Sequence, residues 1–87
     1  MNEKQLEDNL NKVFDCKDIH VHEVQARDVD STKLTQLLIT NSNFNLRMQF
    51  VKKGEDVFCP IMIFPKISMA NFEKVIEDIE KYFDERS

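Results

Sequence analysis

Residues 44–64 carry the most regular pattern in the chain. Phe44 to Phe50 alternates apolar and polar positions without a break, the signature of a strand with one covered face. A polar turn follows over Lys52–Asp56, with Gly54 inside it. Val57 to Phe64 is then apolar on both faces, as expected of a buried strand. The two runs and their turn predict a β-hairpin.

The ends of the chain follow a helical period instead. Leu6, Leu10, Val13 and Phe14 fall on one stripe, predicting a helix from about Asn2 to Phe14. Glu3, Glu7, Asp8, Asn11 and Lys12 lie outside that stripe, and Asp8 and Lys12 are spaced to pair. Phe72, Val75, Ile76, Ile79 and Phe83 predict a second helix, with Ser68 as its cap and Ile67 and Phe72 placed as a hydrophobic staple. Two further segments read as strands. Ile19–Arg27 is β-prone, with an alternation that breaks near Glu23, the mark of a bulge or an edge. Leu34–Thr40 is ambiguous, with residues 34–38 open to a first turn of helix, but Ile39, Thr40 and the Asn41–Asn43 turn behind it favour a strand.

The predicted fold class is therefore α+β. A three- to four-stranded antiparallel meander carries an N-terminal and a C-terminal helix on one face, in the order α-β-β-β-β-α. That covered face is expected to receive Phe44, Leu46, Met48 and Phe50. The short connections favour the meander, and the length of 87 residues favours one domain over residues 1–87.

Composition adds limits. The chain opens on polar residues and has no long apolar run, so the expectation is a cytoplasmic protein with no membrane span. Two cysteines, Cys16 and Cys59, agree with that; Cys59, in an apolar strand, reads as an inert core thiol. Net charge is −4, but its distribution is uneven. The ends are acidic and the middle is mildly basic, which suggests a charge difference between the helical layer and the sheet.

Candidate chemistry is sparse. Cys16, His20 and His22 are potential soft-metal ligands without the spacing of a structural zinc site. Asp28, Asp30 and Thr32 faintly resemble a calcium loop but lack its glycine and distal glutamate. With a single glycine, the chain has no material for a phosphate-cradling loop. No catalytic residue, metal ligand or cofactor is expected, and an enzyme is not the favoured reading.

Strand 57–64 directs attention to binding. Strict alternation places Phe58, Pro60, Met62 and Phe64 together as a partner or dimer surface, and Pro60 points to an edge or a bulge. The expected function is a small non-enzymatic interaction module. It would regulate or inhibit a larger protein partner, as a homodimer. The alternative is a single-stranded nucleic-acid binder using Asn45, Arg47, Gln49, Lys52, Lys53 and Lys66, although the net charge opposes it. A third surface, the acidic outer side of the last helix with Glu73, Glu77, Glu80 and Asp84, could meet a basic partner.

Overall fold

The computed structural model describes residues 1–86. Its elements run α1 (Glu3–Phe14), β1 (His20–Arg27), β2 (Lys33–Thr40), β3 (Arg47–Lys53), β4 (Asp56–Ile63) and α2 (Met69–Asp84). The four strands form one antiparallel sheet in the order β1-β2-β3-β4. The α+β meander expected from the hydrophobic periods is thus the fold.

Both helices begin where their caps dictate. Asn2 accepts from the Gln5 amide at 2.8 Å while the Gln5 side chain accepts from the Asn2 amide at 2.7 Å, closing a capping box. Ser68 accepts from the Asn71 amide at 3.1 Å. Asp15 ends α1 in the left-handed conformation, φ 52°. Asp8 pairs with Lys4, one turn back, and not with the predicted Lys12.

The core lies between the helices and one face of the sheet. Leu6 and Leu10 from α1 and Val75, Ile79, Tyr82 and Phe83 from α2 meet Val21, Leu37, Ile39, Met48 and Phe50 from the strands. Phe64 extends this cluster and contacts the rings of Phe14 and Phe72 at 6.0 and 5.8 Å between centroids. Glu23, on the same side of β1, accepts from the Tyr82 hydroxyl and from Arg86 at 2.6 Å, and the Arg86 guanidinium lies 3.5 Å above the Tyr82 ring. Burial pushes the Glu23 carboxyl up, but the hydrogen bonds from Tyr82, Arg86 and Gln25 outweigh it and hold it below its ordinary value.

Three expectations are corrected. Phe44 does not point into the core: it is 69% exposed, in a loop, with φ 56°. Asn41 causes this. Its side chain accepts from the Leu46 amide at 3.2 Å, and its carbonyl accepts from the Phe44 amide at 3.1 Å, so the chain turns sharply before β3 begins at Arg47. Strand β4 is not buried, because it is an edge strand and the core of the helices lies over β1–β3. For the same reason Cys59 is an exposed thiol.

Truncating the packing centre should be costly. Phe50→Ala should lose about 3–5 kcal/mol and Ile79→Ala about 2–5 kcal/mol, read as a lowered urea midpoint at unchanged slope.

Candidate functional site: an open sheet face and two unlike edges

The side of the sheet opposite the helices carries the candidate site. Its residues follow from strand register. His20, Thr40, Arg47 and Ile63 form one cross-strand row; His22, Leu38, Gln49 and Ile61 form the next; Val24, Gln36, Val51 and Phe58 form a third. No helix covers this face. Phe58 and Ile63 are each 54% exposed.

Phe58 belongs to that face because β4 contains a bulge. Gln49 lies opposite Ile61 and Val51 opposite Phe58, so β4 spends one more residue than β3 over this interval, at Cys59–Pro60. Pro60 fits such a position, having no N–H to donate. The bulge also divides the predicted interface set. Met62 and Phe64 sit on the helix side and pack against the core, while Phe58 projects from the open face and Pro60 is exposed at the bulge. Unbroken alternation, the basis of the expectation, fails at that one extra residue.

A groove of about 370 Å³ crosses the open face. Leu38, Thr40, Gln49 and Ile61 contribute to its lining, Phe44 leans in from the β2–β3 loop, and Arg47 stands at its side. Arg47 is exposed, and among the described residues no side chain pairs with its guanidinium.

The other predicted basic residues do not join Arg47 in one patch. Lys52 points to the helix side and donates to the Phe83 carbonyl at 3.2 Å. Lys53 donates to Asp28 at 2.6 Å and to Asp30 at 3.4 Å. Gln49 donates to Gln36, and the Asn45 side-chain oxygen accepts from Asn41. Lys66 is exposed beyond the end of β4. The basic face expected from linear proximity is therefore dispersed: Lys52 faces the opposite side of the strand, and Lys53, on Arg47's side, is held by Asp28 and Asp30.

Lys53 also accounts for the calcium-like loop. Its ammonium already supplies the cation between the Asp28 and Asp30 carboxylates. The Thr32 hydroxyl and amide, then Lys53, hold the Asp30 carboxyl down at about 2. Cys16 and the two histidines are likewise separated. Cys16 packs against the core and donates to Asn11 at 3.4 Å, whereas His20 and His22 lie on the open face. Among the described residues, no three His, Cys, Asp or Glu side chains converge as metal ligands.

Glu73, Glu77, Glu80 and Asp84 are all exposed on α2. Glu80 and Asp84 border a second cleft, of about 820 Å³, but Lys33, Lys52 and Arg86 line it too, so it presents mixed charge. Charge does separate by layer. The helices hold eight acidic residues against four lysines, while the strands hold five basic residues against two acids.

One arrangement escaped the sequence reading. Asn11, Glu7 and Glu3 accept from the backbone amides of Ile19, Val21 and Glu23 at 3.1, 2.9 and 3.2 Å. These are outward amides at the start of β1 and of Ile19 just before it, and a side-chain ladder from α1 closes that part of the edge. The available signal was three acceptors at i, i+4 and i+8 beside the apolar stripe, a pattern that also fits a solvated helix face. Among the described residues, no such ladder covers the opposite edge, along β4. No described helix is long and apolar enough to cross a membrane. Comparisons with protein-family models, with curated proteins and with solved structures give no match.

Two outcomes test this geometry. Glu7→Leu, which strips the acceptor from the Val21 amide, should cost about 1–3 kcal/mol, and Glu7→Gln, which retains an acceptor, should cost less. Hydrogen exchange at Val21 should accelerate in the first variant only. Asp30 should titrate near pH 2 in a carboxyl-detected NMR experiment. Because its folded value lies below the ordinary 3.8, its stabilisation is present above about pH 4 and is lost as pH falls toward 2.

Proposed function

We propose that this chain is a non-enzymatic protein-interaction module, acting as a homodimer that regulates or inhibits a larger protein. The observation that carries the reading is the uncovered sheet face, where Phe58 and Ile63 stand exposed beside the groove bordered by Phe44. Exposed aromatic and aliphatic side chains gathered on one face favour association over solvation. The edge itself is poorly suited to joining two sheets, since the bulge and Pro60 interrupt its hydrogen-bonding line. Self-association in this proposal packs the Phe58 and Ile63 side chains of two copies against each other.

A second reading has one observation in its favour. Phe44 and Phe58 lie on the same face as Arg47, an arrangement on which unpaired bases can stack. Against it stand the net charge of −4 and the diversion of Lys52 and Lys53 into internal contacts.

Light scattering coupled to size exclusion tests the proposal. The protein should elute as a dimer at about 100 μM, well within the range of a micromolar association, and Phe58→Asp with Ile63→Asp should give a folded monomer. A monomeric wild-type protein would contradict the dimer. Salt-sensitive binding of an oligothymidylate, lost in Arg47→Glu, would favour the second reading instead.

A further inference from the structure

We infer that the groove on the open face receives an extended segment of a partner protein in which an apolar side chain at position i and a carboxylate at position i+2 both face the sheet. The inference rests on the interaction-module reading, which it deepens by naming the chemistry of the partner; because Ile61 lies between Phe58 and Ile63 on the open face of β4, the partner segment displaces the second copy when it binds.

The groove supplies both halves of that recognition. Leu38, Ile61 and Phe44 offer an apolar surround, while the Thr40 hydroxyl and the Gln49 amide supply polar atoms to the lining. Among the described residues, Arg47 is the only charged side chain in the lining, and no carboxylate satisfies it. Its cross-strand neighbours are Ile63 on β4 and Thr40 on β2, and Ile61 lies in the next row beside Gln49, so Arg47 has apolar side chains on its β4 side. A cation flanked by apolar and aromatic side chains favours a carboxylate whose neighbours are themselves apolar.

Spacing selects an extended ligand. Arg47 and Gln49 are two residues apart on β3, a step of roughly 6.7 Å. An extended peptide places its own i and i+2 side chains on one side at the same step. An apolar side chain seated over Leu38 and Ile61 therefore brings the carboxylate two residues away to Arg47. The layered charge agrees with this choice, since an acidic segment is drawn to the sheet and repelled by the helices.

The test uses the full chain labelled with ¹⁵N and the probe acetyl-Thr-Leu-Thr-Glu-Thr-amide. Two controls replace its Glu by Lys or its Leu by Ala. The probe should shift the amides of Leu38, Arg47 and Gln49 saturably, and each control should bind at least about tenfold more weakly. Arg47→Glu, a change at an exposed side chain, should reverse the preference toward the Lys peptide. Phe44→Ala should weaken the parent probe without altering the choice between Glu and Lys. Absence of shifts, shifts indifferent to the Glu–Lys exchange, or shifts confined to the helices would overturn the inference. If the protein still dimerises in that case, the interaction-module reading survives without this groove. Preferential shifts of the same amides by an oligothymidylate would overturn both.

Discussion

A four-stranded meander has two edges, and the closing of only one of them organises this molecule. The outward amides of β1 would compete for water or for another strand if they were left bare. Glu3 and Glu7 take those of Glu23 and Val21, and Asn11 takes that of Ile19 just before the strand, so α1 is hydrogen-bonded to the first half of the sheet edge while its apolar stripe is buried in the core. These bonds hold the helix against rotation, because the residues that face the edge and the residues that face the core are set at fixed angles on one cylinder. With α1 fixed over the β1 side, α2 covers the remainder of that face, and Tyr82 and Arg86 tie its end to Glu23. The β4 side is left as the uncovered margin.

Much of the fold was legible because its signals are periodic and local. The α1 and α2 stripes, the Ser68 cap and the strand alternation each depend on residues a few positions apart. The candidate site was less legible because it depends on two departures from periodicity. The left-handed turn at Phe44 moves an apparent core aromatic to the surface, and the extra residue at Cys59–Pro60 changes which face Phe58 occupies. Pro60 did signal an edge or a bulge, and both occur. Where the face of Phe58 lay could not be deduced from Pro60 alone, since one displaced residue reassigns every side chain beyond it.

Charge shows the same limit. The acidic ends and basic middle translate into acidic helices and a more basic sheet, as their order along the chain implied. What linear order does not contain is pairing. Asp28 and Asp30 lie far from Lys53 in sequence and next to it in space, so in a run of two lysines that suggested an anion site Lys53 pairs with two aspartates and Lys52 donates to the Phe83 carbonyl. Arg47 remains available because its strand neighbours are Thr40 and Ile63.

The ladder between α1 and β1 also joins two rulers with slightly different graduations. Four residues of helix advance about 6.0 Å, whereas two residues of strand advance roughly 6.7 Å. Such scales coincide at one mark and diverge on either side, as on a vernier. Over the three rungs from Asn11 to Glu3 the side chains absorb the difference, and all three bonds lie within hydrogen-bond reach, at 2.9–3.2 Å. Each further rung would add about 0.7 Å of mismatch, enough within another step or two to exceed the reach of a hydrogen bond. A straight helix can therefore close only a short length of a strand edge in this manner, and the twelve residues of α1 are close to the length that the device can use.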